Sequence, residues 1–208
     1  MESSVAGRRT DELRAAVVAA TRDELVEHGY DTLSPERVAR RAGLDEGTVR
    51  ERWGDADALV DVLLDEFAQH ELVLLNSGSL ETDLRALSAG IAALYGLSQR
   101  REVIGELVHA AIDSPRAAET LRRFWAHRLA DAAEPVRRAI AAGELPPDTD
   151  PLEVIRALGA PFYYRMFITL EPLDDALADR AAAAAIAAAR AGAFTTRASA
   201  RDSAPGSP

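Results

Sequence analysis

Apolar positions recur every three or four residues along most of the chain, and this spacing predicts helices rather than strands. The predicted helices cover residues 11–28, two short segments within 34–53, and residues 55–75, 80–98, 101–112, 115–141, 151–170 and 174–193. No segment alternates apolar and polar residues as a strand does, and no repeat of solenoid length is present. The pattern therefore predicts an all-α fold.

The segment 34–53 predicts two short helices joined by a tight turn. Ser34 can cap the first helix, Pro35 suits its first position, and Gly43 can end it in the left-handed region. Asp45 can cap the second helix. Such a unit is a helix-turn-helix, whose second helix enters the major groove of DNA. A plain helical hairpin inside a bundle would give a similar pattern.

The flanking segments and the C-terminal half resemble one known family. Residues 27–30 read Glu-His-Gly-Tyr, residues 39–44 read Ala-Arg-Arg-Ala-Gly-Leu, and residues 53–59 read Trp-Gly-Asp-Ala-Asp-Ala-Leu. With these features, residues 11–60 resemble the tetracycline-repressor (TetR) family of bacterial transcription regulators. The segments Gly-Glu-Leu-Pro-Pro-Asp-Thr-Asp-Pro and Tyr-Tyr-Arg, at 143–151 and 163–165, resemble a C-terminal domain common among such regulators.

The resemblance implies two domains and a DNA partner. Residues 1–55 would form a three-helix helix-turn-helix domain, and residues 56–194 a helical ligand-binding and dimerisation domain. Residues 195–208 have a composition typical of a disordered tail. The implied partner is a double-stranded DNA operator, with Arg40 and Arg41 near phosphates and Thr48, Arg50 and Arg52 in the groove. The full set of expected DNA-binding residues is Ser34, Arg40, Arg41, Thr48, Arg50, Arg52 and Trp53.

Two residues depart from the family pattern. Arg50 stands where the family usually has a phosphate-contacting Tyr, and Ala56 stands where it usually has a Lys. Arg50 could replace the Tyr contact with a charge-assisted one, whereas Ala56 cannot replace a cation. Residues 1–55 hold nine Arg against twelve Asp and Glu, and the whole chain carries −10. An alternative is therefore open: a relative that has lost DNA binding and acts as a helical ligand-binding or protein-interaction module.

The C-terminal half contains aromatic and polar side chains among small apolar ones. In the related regulators this domain encloses a small-molecule cavity, and an occupied cavity weakens DNA binding. The resemblance thus implies a small-molecule effector that releases a repressor from its operator. The expected ligand-binding residues are Tyr95, His109, Trp125, Tyr163 and Met166, and the alternative for each is an ordinary core residue. Pro161 should bend the helix that contains it.

The last two predicted helices suggest self-association. Eleven of the sixteen residues from 178 to 193 are Ala, which allows helices to pack closely. We therefore expect a homodimer held by these helices across a two-fold axis, with Ala185 in a close helix crossing. Such a dimer could place two reading helices about 34–36 Å apart, in successive major grooves.

Composition gives little support to catalysis or to a membrane location. Cysteine is absent, the N-terminus lacks the apolar run of a signal peptide, and no stretch approaches ~18 uninterrupted apolar residues, so we expect a soluble cytoplasmic protein. Glu106 and His109 form one Glu-x-x-His pair, but a di-iron helical bundle needs two such helices. We expect no catalytic residues, no metal and no cofactor. A small helical enzyme is the second alternative.

Overall fold

A computed structural model describes residues 2–69, 76–96 and 98–196, without the side chains of residues 2–9, 68, 69 and 98. The regular secondary structure of these residues is helical, which confirms the predicted all-α fold. The helices are α1 Glu2–His28, α2 Pro35–Ala42, α3 Glu46–Trp53, α4 Ala56–Gln69, α5 Leu80–Gly96, α6 Ser98–Asp113, α7 Pro115–Ala132, α8 Glu134–Ala141, α9 Pro151–Tyr164 and α10 Asp175–Arg190. A 3₁₀ turn covers Tyr30–Thr32, and a π-helical turn covers Arg165–Thr169.

Several helix boundaries differ from the sequence prediction. Helix α1 begins at Glu2 and not at residue 11. The helix predicted over 115–141 is two helices, because Pro135 has no N–H for a helical hydrogen bond and its ring disfavours the preceding turn. The helix predicted over 151–170 continues past Pro161 to Tyr164 and then changes to π-helical geometry.

The predicted fourth helix and C-terminal tail lie partly outside the described residues. Helix α4 is described as far as Gln69, so residues 70–75 of that prediction fall outside. Thr196 donates its N–H to the carbonyl of Asp148 at 3.0 Å, and Asp150 donates to the carbonyl of Phe194 at 2.8 Å. The start of the expected tail, at 195, is therefore hydrogen-bonded to a loop. Residues 197–208 fall outside the description.

The chain forms two compact units. The first contains α1 to α4, α6 and α7 up to Ala126, and the second contains α5, the end of α7 from His127, and α8 to α10. The predicted domain boundary at residue 55 lies inside the first unit and so does not separate the two packed bodies. As a division between DNA binding and ligand binding it stays a prediction.

The first unit is organised around apolar residues that its short helices share. Val17 and Leu25 of α1, Val38 of α2, Val49 of α3 and Leu59 of α4 are 0–1% exposed. Each helix of the predicted motif therefore contributes one face to a common core, which fixes the two short helices against α1 and α4.

The second unit contains a core of larger side chains covered by the Ala-rich helix α10. Leu84 of α5, with Leu158 and Phe162 of α9, is fully buried, and α10 packs on both of these helices. Ala185 is 2% exposed and belongs to this core, so its expected place in a crossing with a second copy is wrong. Among the described residues, none of the helices combines the length and the apolar composition that a membrane span requires.

Candidate nucleic-acid interface

Local capping fixes the ends of α2 and α3 as the sequence predicts. The Ser34 hydroxyl accepts the Arg37 N–H at 3.3 Å at the start of α2. Gly43 ends α2 with φ 68° and ψ 33°, the left-handed conformation that glycine adopts without strain. The Asp45 carboxylate then accepts the Thr48 N–H at 2.9 Å and caps α3. The predicted helix–turn–helix arrangement is confirmed.

Helix α3 has one buried side and one exposed side. Val49 is fully buried and Trp53 is half-buried, so they hold the helix on the core of the first unit. The side chains of Glu46, Arg50, Glu51 and Arg52 are exposed, and Gly47 lies between them. A short helix that is anchored on one side and polar on the other can enter a groove of DNA without disturbing the core.

The arginines on α3 differ in their surroundings. Arg50 donates from Nη2 to Glu46 Oε1 at 2.8 Å, and both side chains are largely exposed. Among the described residues no acid pairs with Arg52. The Thr48 hydroxyl lies 3.4 Å from an Asp45 oxygen and is therefore close to the cap. Arg52 thus differs from Arg50, which is held by a carboxylate of its own helix.

The arginines on α2 are also paired with acids. Arg40 is exposed and lies 3.4 Å from Glu36, one turn earlier. Arg41 is bound to two carboxylates of α1: its Nε donates to Glu24 at 2.7 Å and its Nη1 to Glu27 at 2.9 Å. The charges on α2 are consequently almost balanced by carboxylates, as the count of acids and arginines in the sequence suggests.

Glu24 is a buried acid beneath these arginines that sequence reasoning missed. It is 5% exposed, and its second oxygen accepts the Nε of Arg37 at 2.7 Å. Burial alone would raise the pKa of Glu24, but hydrogen bonds from Arg41 and Arg37 outweigh it, so the pKa is lowered. The spacing along α1 could have indicated it, because position 24 comes four residues after Ala20 and three after Thr21. It therefore lies on the same, buried side of the helix.

A second polar network fixes the start of α4. The Tyr30 hydroxyl donates to Asp57 Oδ1 at 2.6 Å, and Arg116 of α7 donates to the other oxygen of Asp57 at 2.9 Å. Burial and the hydrogen bond to Asp57 raise the pKa of Tyr30 to about 12, so the hydroxyl keeps its proton at neutral pH. One turn along α4, Asp61 accepts two hydrogen bonds from Arg123, at 2.9 and 3.0 Å.

The structure brings together two of the five expected ligand-binding residues and buries a third, Met166, in the same unit. In the second unit, Tyr95 is buried and meets Tyr163 edge to face, with 5.9 Å between ring centroids. Tyr163 also stacks on Phe167 at 6.5 Å, and Met166 beside it is fully buried. Phe167 belongs to this cluster although it is not among the five.

The other two expected ligand-binding residues belong to the first unit. Trp125 is half-buried on α7, where its ring meets Phe124 edge to face at 5.0 Å. His109 is exposed on α6. Within the described residues, no group of three or more His, Asp or Glu is arranged to hold a metal ion.

Comparison with known proteins gives matches over most of the chain. The family model for bacterial regulatory proteins of the tetR family matches residues 17–63, and that for the tetracyclin repressor-like C-terminal domain matches residues 74–185. YdeS of Bacillus subtilis, an uncharacterized HTH-type transcriptional regulator, is 29% identical over 81% of this chain and 86% of its own. The HTH-type transcriptional regulator AqdR of Rhodococcus erythropolis is 31% identical over 70% of each chain.

A solved structure agrees with these sequence matches. The crystal structure of the TetR family transcription regulator SCO0332 shares 29% identity and has a TM-score of 0.67, covering 85% of this chain and 97% of that one. The motif with its capped helices lies within the first family match, and the helices of the second unit lie mainly within the second. The chain belongs to the TetR family of bacterial transcriptional regulators.

Proposed function

We propose that this regulator is a homodimeric repressor that reads a double-stranded DNA operator with α3 and leaves it when a small molecule binds. The observation that carries the proposal is the exposed side of α3, held by the buried Val49 and by the Asp45 cap. Arg40, Arg50 and Arg52 are the cations proposed to meet phosphates or base edges. Ser34, Thr48 and Trp53 are proposed to lie beside them. Since the proposed partner is operator DNA, the proposed location is the cytoplasm.

The surface of the second unit supports pairing through its last two helices. Helix α9 and the π-helical turn expose Ala160, Tyr164 and Ile168 at a spacing of four, and Tyr164 and Ile168 are 58% and 68% exposed. Helix α10 exposes Ala183 and Ala187. Small and apolar residues exposed on both helices are typical of a close four-helix contact between two copies. A two-fold dimer would also present two copies of α3 to one operator.

The aromatic cluster of the second unit supports an apolar effector. Tyr95, Tyr163 and Phe167 pack ring against ring, and Met166 adds a flexible thioether that can rearrange around a guest. Each Tyr combines an apolar ring with a hydroxyl, so the effector class we propose is apolar with one or two polar groups. His109 and Trp125 stay predictions for this role.

Selection of binding sites from a random DNA pool tests the proposal. The purified protein should enrich a two-fold symmetric sequence whose half-sites lie about 10 base pairs apart, or a multiple of that, as one copy of α3 in each groove requires. The bound complex should contain an even number of protein chains. Enrichment of no sequence, together with no binding to any duplex at low salt, would contradict the proposal.

One observation favours a second candidate, a family member without DNA binding. Arg40, Arg41 and Arg50 are each paired with a glutamate in the free protein, so the motif offers little net positive charge. Such a relative would still dimerise and bind a small molecule. The same selection separates the two candidates, because only the repressor enriches a DNA sequence.

A further inference from the structure

Two carboxylates of α1 occupy all three nitrogens of the Arg41 side chain. Nε donates to Glu24 at 2.7 Å, Nη1 donates to Glu27 at 2.9 Å, and Nη2 makes a short contact with the other oxygen of Glu27. This is the bidentate geometry that guanidinium groups also use to grip phosphate. A phosphate that reaches Arg41 must therefore compete with Glu27 for the same N–H groups.

Charge around Arg41 is neutralised within the protein. Arg37 and Arg41 share Glu24, with one Nε on each of its oxygens, and Glu27 supplies the second negative charge. The hydrogen bond from Arg41, opposed by a smaller effect of burial, lowers the pKa of Glu27, so this carboxyl is ionised at neutral pH. Glu24, Glu27, Arg37 and Arg41 together carry no net charge, and Asp23 of α1 is a further carboxylate that lies 4.0 Å from Nη1 of Arg41. The cluster therefore offers no net positive charge to a phosphate.

The position of Arg41 makes this pairing relevant to DNA. Arg41 is the last residue but one of α2, directly before the turn to α3, and it follows Arg40, whose side chain is exposed. Glu24 is buried and holds the inner edge of the guanidinium, whereas the Glu27 side chain is 53% exposed and holds the outer edge. Glu27 can thus be substituted while Glu24 still binds Nε of Arg41.

We propose that Glu27, with Glu24 behind it, is a positioning residue that withholds Arg41 from the DNA backbone and so limits the operator affinity of this regulator. The inference rests on the proposed function, and it differs from the expectation that Arg41 contacts a phosphate in the wild type. Removing the Glu27 charge should free Nη2 for a phosphate and leave Nη1 with only the more distant carboxylate of Asp23, at 4.0 Å. Glu24 would keep the side chain anchored through Nε.

The salt dependence of DNA binding tests this proposal, because a new phosphate contact changes its slope. Wild type and Glu27→Gln are titrated on a selected operator duplex and on a random duplex, between about 50 and 200 mM salt. One added contact per chain steepens the log–log slope by about 0.9, or about 1.8 per dimer. Over this fourfold range in salt, the ratio of the Kd values at the two ends should grow about twelvefold on both duplexes.

Matched variants show whether a steeper slope comes from the release of Arg41 or only from the loss of one negative charge. Glu12→Gln removes an exposed carboxylate of the same helix and should leave the slope unchanged. Arg41→Gln alone should also leave it unchanged, and in the Arg41→Gln background Glu27→Gln should lose its effect. Circular-dichroism melts of all variants check that each is folded.

The possible results distinguish the two proposals. If the wild type binds DNA and Glu27→Gln behaves like Glu12→Gln, the proposal for Glu27 is wrong while the DNA-binding function stands. If Arg41→Gln alone flattens the slope by about 1.8, Arg41 already contacts DNA in the wild type and the proposal is equally wrong. If neither wild type nor Glu27→Gln binds either duplex at low salt, both proposals fail.

Discussion

Substitutions at two alanines of α10, Ala183 and Ala185, can distinguish the folding of the second unit from its proposed dimerisation. Ala185 is 2% exposed among side chains of α5 and α9, whereas Ala183 lies on the exposed side of the helix. We predict that Ala185→Arg unfolds or severely destabilises the second unit. We predict that Ala183→Arg leaves each chain folded and abolishes the dimer.

The expected magnitudes follow from burial. An unpaired guanidinium forced into a core costs several kcal/mol, and overpacking adds about 1–3 kcal/mol, against a total stability of about 5–15 kcal/mol. Ala183→Arg replaces an exposed methyl group, so its effect on an isolated chain should stay within about 0.5 kcal/mol. At a close two-fold contact the same side chain would meet its own copy or the partner's backbone, where small residues are required.

Sedimentation velocity at several protein concentrations, combined with thermal melts, measures both effects. Ala183→Ser is the matched control, since it keeps a small side chain at the same position. The expected result is a folded monomer for Ala183→Arg and a dimer for Ala183→Ser. A stable dimer of Ala183→Arg at every concentration would show that the interface lies elsewhere, and a normal melt of Ala185→Arg would contradict the packing of α10.

Three further predictions concern the first unit. Asp45→Ala removes the carboxylate that accepts the Thr48 N–H, so the free energy of unfolding in urea titrations should fall by about 1 kcal/mol. The pKa of Glu24 is lowered in the fold, so its contribution to stability is present above its ordinary pKa of 4.5 and is lost as the pH falls through the folded pKa. Glu24→Gln should therefore remove this loss of stability at acid pH, and an unchanged pH profile of unfolding would contradict the prediction. Ala56→Lys should add a phosphate contact at the start of α4 and steepen the salt slope by about 0.9 per chain, which titration on a random duplex would measure.

Features that depend on residues close together in the sequence could be predicted, whereas features that depend on residues far apart in the sequence could not. Ser34, Gly43 and Asp45 act on groups three or four residues away, so the ends of α2 and α3 follow from the residue types alone. The pairing of Arg41 with Glu24 joins residues 17 positions apart on different helices, and that of Arg116 with Asp57 joins residues 59 apart. Such pairs depend on how the helices pack.

The Ala-rich helix shows a different limit of the sequence. Residues 181–185 are all Ala, so no contrast of polarity marks which side faces the core. Packing against α5 and α9 buries Ala181, Ala182 and Ala185 and leaves Ala183 exposed. The presence of a tight helix contact could be predicted from composition, whereas the residues that a second copy could reach required the structure.

The proposed binding of DNA by α3 is tested by the salt dependence of DNA binding in a variant that lacks both exposed arginines of this helix. Arg50→Ala/Arg52→Ala is compared with the wild type on a random duplex, with Arg85→Ala, an exposed arginine of α5, as the control for lost charge. We expect the double variant to flatten the log–log slope by up to about 0.9 per contact, or about 3.6 per dimer, while the control matches the wild type. Equal slopes for the double variant and the wild type, or no DNA binding by the wild type at low salt, would show that α3 does not bind DNA as proposed.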